Sequence, residues 1–322
     1  IMTLYSQFQK TLSRKIIFNG IGLHSGFLNC KISIFPQPPN SGISFISNGI
    51  KIPATVDSVV STKLSTTISS KKNPNTKIST IEHLMAAFSA TKIDNALVEV
   101  NGPEIPILDG SSIEFVDSIL KNGISEQFDK NKCFPKYFLK IETPVHTSLN
   151  DNDSEAWLFP TKCDKNKFIK NYNINYNENN NQNSIENIKF DFTLSGNIDF
   201  SENNLPQKHI KTAVSKFHEI AGARTFAFEK DIEFMRKHGL AKGGSLSNAV
   251  VFDNKGNALN KEKLRFKDEW AKHKLLDCIG DLYLCGKPII GHYHGNKPGH
   301  ELNIKLVRKL LSDKNNFSII SL

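Results

Sequence analysis

The spacing of apolar positions changes along the chain. In the N-terminal part, Ile16 and Phe18, Ile32 and Ile34, and Val98 and Val100 are separated by single residues, the two-residue period of a strand with one covered face. This predicts strands over 15–18, 28–35, 43–46 and 96–100, with helices over 80–90 and 112–120. From 121 to 136 the chain turns polar and charged, which places a domain boundary there and divides it into residues 1–128 and 129–322. The second part repeats the theme, with strands over 137–141, 156–159, 188–194 and 289–293 and helices over 213–220, 266–285 and 302–311. Residues 171–187 are rich in Asn and too poor in apolar side chains to order themselves, so they read as a surface insertion between two strands.

The helix over 266–285 carries a polar stripe. His273, Asp277 and Asp281 lie among Trp270, Leu275, Leu276, Ile279, Leu282 and Tyr283. Residues four apart stand one above the other on a helix, so His273 and Asp277 can hold one cation between them, with Asp281 a turn further on. Carboxylates are costly in such surroundings without a partner, and a metal ion is a sufficient one.

Composition narrows the setting. A length of 322 residues suits two domains, and 39% hydrophobic residues with 22 Phe fill their cores. The net charge of +9 attracts an anion: a nucleic acid, a phosphorylated metabolite or an acidic membrane surface. Nucleic acid is the weakest of these, because the basic residues are spread along the chain without an aromatic-basic motif. The cysteines, Cys30, Cys133, Cys163, Cys278 and Cys285, are odd in number and form no C-x-x-C pair. They indicate neither a disulfide framework nor a thiolate zinc site, and fit a reducing compartment. No run of about 18 apolar residues and no signal-peptide core occur, so a soluble, cytoplasmic protein is expected. The chain opens on Ile1; with a targeting segment upstream, import into an organelle is expected instead.

Further candidates for chemistry lie elsewhere. Ser79-Thr-Ile-Glu82-His83-Leu-Met-Ala-Ala-Phe88 has an ordinary reading as a capping box, with Ser79 and Glu82 closing a helix N-terminus and His83 a core histidine. In Gly291-His292-Tyr-His294-Gly-Asn-Lys-Pro-Gly299-His300 the spacings match no standard zinc site, and a general acid is the better reading of one histidine. Together these residues meet a demanding recipe. A catalytic zinc takes three N or O ligands and leaves one position open, and His83, His273 and Asp277 supply that set, with iron(II) an alternative occupant. Glu82, about a third of a turn round the helix from a ligand, suits a general base, and His300 an acid oriented by Asp281. The recipe describes amide or ester hydrolysis.

Four other segments bear on it. Lys274 is ordinarily a solvated lysine, yet a cation beside His273 would steady an oxyanion or a phosphate. Thr225 offers a donor within Arg224-Thr-Phe-Ala-Phe228, which reads as a strand. Residues 239–245 lack the phosphate-loop order, and no helix opens after Gly20-Ile-Gly-Leu-His-Ser-Gly26, so neither reads as a nucleotide-binding loop.

Gly20-Ile-Gly-Leu-His-Ser-Gly26, Thr80-Ile-Glu-His-Leu-Met-Ala-Ala87, Leu108-Asp-Gly-Ser111, Ala223-Arg-Thr-Phe226, Gly239-Leu-Ala-Lys-Gly-Gly-Ser245, Leu264-Arg-Phe266, His273-Lys-Leu-Leu-Asp-Cys-Ile-Gly-Asp281 and Lys297-Pro-Gly-His300 occur in this order. The set resembles the UDP-3-O-acyl-N-acetylglucosamine deacetylases, zinc amidases of lipid A biosynthesis, over residues 14–311. The resemblance implies an α+β fold of two similar domains, each a β-sheet layered with helices, the helices packed between the sheets and the active site at the domain junction. By matching position it implies His83, His273 and Asp277 as ligands of one zinc per chain and Glu82 as general base. His300 becomes the general acid or electrostatic partner, oriented by Asp281. It implies Thr225 as an oxyanion donor, Lys274 near the substrate phosphates and Phe226 against the sugar. Residues 228–246 become the acyl-chain passage, with Phe228, Ile232, Phe234, Met235, Leu240, Gly244 and Ser245 in contact with substrate. Asp199 and Phe200 resemble part of a strand near the nucleoside.

The implied activity is hydrolysis of the acetamide of a UDP-linked, 3-O-acylated N-acetylglucosamine to a free amine and acetate. The implied protein is a monomer that binds no nucleic acid and touches a membrane at most peripherally. Against this stand another zinc amidohydrolase of an acylated amino sugar and a non-catalytic nucleotide-sugar binder. Two departures from the family pattern matter. His292, His294 and Pro298 sit close to the loop of the Lys-x-Gly-His match, as a competing ligand or a reshaped entrance, and Phe159-Pro160 lacks the Lys that some members carry before the proline.

Overall fold

The computed structural model describes residues 8–129, 132–149, 154–161 and 191–321; the Asn-rich insertion at 171–187 lies outside them. The first half comprises β1 (Ile16–Gly20), β2 (Cys30–Pro36), β3 (Ile43–Ser47), β4 (Ile50–Pro53), β5 (Val59–Ser61), β6 (Thr67–Ser70), β7 (Asn73–Ile78), α1 (Glu82–Thr91), β8 (Ala96–Asn101) and α2 (Ile113–Asn122). One sheet runs β1-β2-β8-β3-β4. Alternation turns Ala96, Val98 and Val100 of β8 to the buried face while Glu99 and Asn101 stay exposed. Phe18 of β1 meets Phe115 of α2 edge to face at 4.9 Å, so a helix closes the apolar side. Strands β5, β6 and β7 form a second, three-stranded sheet. Patterning does not reveal it, because Ser, Thr, Lys and Asn dominate the stretch, although Thr66, Thr67 and Ser69 are buried.

The second half comprises β9 (Tyr137–Ile141), β10 (Val145–Ser148), β11 (Glu155–Phe159), β12 (Phe192–Phe200), β13 (Leu205–Ala213), β14 (Phe226–Phe228), α3 (Glu229–Lys237), β15 (Val250–Phe252), α4 (Glu269–Leu282), β16 (Ile289–Asn296), α5 (His300–Ser312) and β17 (Phe317–Ser321). Its hub is β16, which pairs with β9, β11 and β12 and is buried from Ile289 to Gly295. α4 packs on β12 and β13, and α5 on β10 and β11. α1 in turn packs on α2 and α4, so helices fill the space between the two large sheets. This is the expected α+β architecture. Among the described residues no helix is long and apolar enough to cross a membrane.

Several elements depart from the predicted ones. The helix over 213–220 is absent: β13 continues to Ala213, and Val214–Glu219 is a 3₁₀ segment broken at Lys216. The apolar residues Val214, Phe217 and Ile220 have helical spacing, but a strand end and a turn satisfy it equally well. The helix over 266–285 begins at Glu269, ends at Leu282 and continues as a 3₁₀ turn to Cys285. The strand placed at 188–194 is described as Phe192–Phe200.

The junction of the halves depends on one glycine. A Cβ at Gly280 of α4 would lie 2.0 Å from the carbonyl oxygen of Glu82 and 3.1 Å from the Ala86 nitrogen. Only a residue without a side chain lets α1 and α4 approach so closely. That approach sets Glu82 and His83 beside Asp277 and Asp281.

Candidate metal centre and cleft

Two helices present the polar residues to one point. His83 Nε2 lies 3.4 Å from Asp277 Oδ1, and His273 Nε2 lies 3.3 Å from the same oxygen. One ligand atom from each of the three falls within 4.8 Å of the others, and all three residues are buried. Among the described residues Asp277 Oδ1 has no hydrogen-bond donor. A buried carboxylate oxygen without a donor, facing two imidazole nitrogens, is an arrangement suited to a cation. The donor set of two N and one O fits Zn²⁺.

The protonation states agree with that fit. His273 Nδ1 lies 2.9 Å from the Ala223 carbonyl; a carbonyl only accepts, so Nδ1 carries the hydrogen and Nε2 offers its lone pair to the site. Burial pushes His273 down to about 4, with Asp277 opposing only in part, and keeps it neutral. Burial would raise Asp277, yet the facing His273 and His83 imidazoles hold it below the usual carboxylate range. For His83 burial lowers the pKa, and Asp277 and Glu82 outweigh it and raise it. Ala223 is itself fixed by its neighbour: the Arg224 Nε and backbone N–H donate to Glu269 Oε1 at 2.8 and 3.0 Å, tying the segment to the start of α4.

Glu82 is not a cap. The Ser79 hydroxyl accepts from Thr67 instead, at 2.9 Å. Thr80 takes a left-handed backbone, φ 59°, and its hydroxyl donates to Glu104 at 2.6 Å, a strained turn of the kind found at functional sites. The freed Glu82 carboxylate accepts from the Thr66 backbone N–H at 3.0 Å and lies 3.7 Å from His300 Nε2. Burial raises the Glu82 pKa, with His300 and His83 opposing. His300 opens α5, and its Nδ1 lies 2.8 Å from Asp281 Oδ2. Burial alone would lower His300, but Asp281 and Glu82 overcome it and hold it at about 9.

These groups lie in a cleft of about 630 Å³, with Lys274, Thr225, Phe226, Phe228, Phe200 and Leu240 on its walls. Lys274 Nζ stands 3.8 Å from Asp277 Oδ2. Phe200 meets Phe226 edge to face at 5.2 Å. An adjoining, mainly apolar cavity of about 280 Å³ is lined by Ile232, Met235, Gly244 and Ser245 and shares Thr225, Phe226 and Met235 with the cleft. Phe234 sits on the cleft wall, largely exposed. Asp199 lies 3.9 Å from Lys297.

Residues 9–312 match the sequence profile of UDP-3-O-acyl N-acetylglycosamine deacetylase. The chain belongs to this deacetylase family. It is 38% identical over 318 residues to the UDP-3-O-acyl-N-acetylglucosamine deacetylase of Haemophilus ducreyi, covering 97% of this chain and 93% of the relative. Its identity to the enzyme of that name from Shewanella oneidensis is also 38%, over 98% of this chain and 93% of the relative. For Myxococcus xanthus the identity is 38%, over 97% and 89%. The deacetylase family is zinc-dependent.

His292 and His294 stand apart from these groups. They alternate with Tyr293 on β16, so they face away from Asn303 of α5, to which the Tyr293 hydroxyl donates at 2.9 Å. His292 contacts the hydroxyls of Thr193 and Ser195, and His294 that of Ser195. Phe159, where some deacetylases carry Lys, is buried. Four contributors receive no role in the sequence reading. His24 lines both cavities, Arg224 and Glu269 form a buried pair, and Thr66 reaches Glu82 and Asp281. His24 and Arg224 lie in motifs of the resemblance, whereas Glu269 and Thr66 carry no sequence signal.

Proposed function

We propose that the protein removes the acetyl group from a UDP-linked, 3-O-acylated N-acetylglucosamine, giving acetate and a free 2-amine, the committed step of lipid A biosynthesis. One observation carries the reading: a buried His-His-Asp set with an unsatisfied carboxylate oxygen shares a cleft with Glu82 and His300, and that cleft joins an apolar cavity. His83, His273 and Asp277 would hold the ion, one zinc per chain, and iron(II) suits the same donors. When bound, such an ion supplies a Lewis acid for the amide carbonyl and makes water more acidic.

The side chains do the rest. Glu82, its pKa raised by burial, accepts a proton from the attacking water. His300, protonated at neutral pH, donates to the departing nitrogen, and Asp281 orients it. Thr225 steadies the oxyanion, Lys274 meets the phosphates, Phe226 packs on the sugar and Phe200 lies toward the nucleoside. Phe228, Ile232, Met235, Leu240, Gly244 and Ser245 sheathe the acyl chain, which an apolar cavity suits. We further propose division into domains 1–128 and 129–322, with the site between them, and a cytoplasmic monomer that touches membranes at most peripherally and binds no nucleic acid. Metal content and turnover of the acylated UDP-sugar, measured on one preparation, test the reading. Stoichiometric zinc without acetate release would point to another acylated amino sugar, and metal-free, zinc-unresponsive protein to a non-catalytic binder.

A further inference from the structure

Thr66 lies in the connection between β5 and β6, two residues after Leu64, whose φ of 62° turns the chain toward the cleft. It is fully buried. Its backbone N–H donates to Glu82 Oε2 at 3.0 Å, and its carbonyl accepts from the Ile81 N–H at 3.3 Å. Its hydroxyl donates to Asp281 Oδ1 at 2.6 Å, with His300 Nδ1 at 3.3 Å. A hydroxyl has one hydrogen, and the shorter distance assigns it to Asp281.

We propose that Thr66 is a positioning residue that holds the base and the acid of the hydrolytic site in one geometry. This rests on the hydrolase reading above. Asp281 Oδ2 accepts from Asn303 Nδ2 at 3.0 Å and lies 2.8 Å from His300 Nδ1. With Thr66 on Oδ1, both carboxylate oxygens are engaged and the carboxylate plane is fixed, which aims its remaining lone pair at His300. The same residue fixes Glu82 through its backbone. A shift of Thr66 therefore moves both groups together, whereas the loss of its hydroxyl affects only the acid side.

That asymmetry supplies the test. Thr66→Val keeps the shape and the backbone donor but removes the hydroxyl, and Thr66→Ser keeps both hydrogen bonds. In zinc-loaded full-length protein, Thr66→Val should lower kcat by about 10- to 100-fold with KM within about twofold and full metal content, and Thr66→Ser should stay within about threefold of the parent. Equal losses in the two variants, or no loss in Thr66→Val, overturn the proposal. A second readout does not depend on turnover: in histidine-labelled protein, the His300 Nδ1–H resonance should shift in Thr66→Val and not in Thr66→Ser. An unmoved resonance overturns the positioning role even if the parent proves inactive on the UDP-sugar, and inactivity of the parent with the resonance shifted counts against the hydrolase reading alone.

Discussion

Gly280 and Glu82 touch backbone to backbone, with room for no atom beyond hydrogen on the Gly280 Cα. Everything at the junction depends on this approach, because it carries the Glu82-His83 pair of one half to the Asp277 and Asp281 stripe of the other. Gly280→Ala should therefore cost about 1–3 kcal/mol of stability by overpacking and weaken metal retention at the same time. Thermal unfolding and metal analysis of the same sample check both; a variant with unchanged Tm and full metal would show that the helices can part without consequence.

The ligand and proton-transfer groups should separate cleanly. Asp277→Ala removes the oxygen facing both imidazoles and should abolish stoichiometric zinc. Glu82→Ala and His300→Ala should keep the metal and lose about 10²- to 10⁴-fold in turnover. Zinc content by elemental analysis, paired with acetate release, reads both effects, and near-normal turnover in metal-replete Glu82→Ala would refute the base assignment.

The alkaline side of the pH profile belongs to His300. Its pKa of about 9 reflects Asp281 and Glu82 outweighing burial, so the acid form is lost as pH rises through that value and kcat/KM should fall there. Replacing Asp281 by Asn should move the alkaline limb to lower pH by about one unit or more. The same pair bears on stability. A folded pKa above the unfolded value of about 6.5 gives a contribution that is complete below about pH 6.5 and is lost as pH rises through about 9. A limb that stays in place in Asp281→Asn would remove Asp281 from this role.

Acyl selection should reside in the apolar cavity. Met235 lines both it and the cleft, and Met235→Ala should lower kcat/KM by about tenfold for a long-chain substrate, the equivalent of roughly two methylenes of lost burial. A substrate without the acyl chain should be hydrolysed by the variant and the parent at similar rates. An equal loss on both substrates would locate the defect in folding of residues 228–246.

Much of this site is visible in local spacing. The adjacency of Glu82 and His83 and the four-residue steps of His273, Asp277 and Asp281 follow from helix geometry, which acts within one turn and leaves its period in the chain. The strands of the first sheet are legible for the same reason. The Ser- and Thr-rich strands β5 to β7 carry no such period, since their small polar side chains are buried by tertiary contacts, and Val214–Glu219 shows helical spacing without becoming an α-helix. Glu82 matches a capping pattern that the fold overrides, because Thr66 and Thr67 offer Glu82 and Ser79 other partners.

Spacing along the chain was enough to specify which residues share a helix face, and hence which could join in one chemistry. It could not specify which helix faces meet. Gly280 against Glu82, Ala223 on His273 Nδ1 and Thr66 on Asp281 join residues far apart in sequence, and no periodicity records a contact that forms only when separate elements pack. The metal-ready tautomer of His273 and the shared support of Glu82 and Asp281 are consequences of that packing.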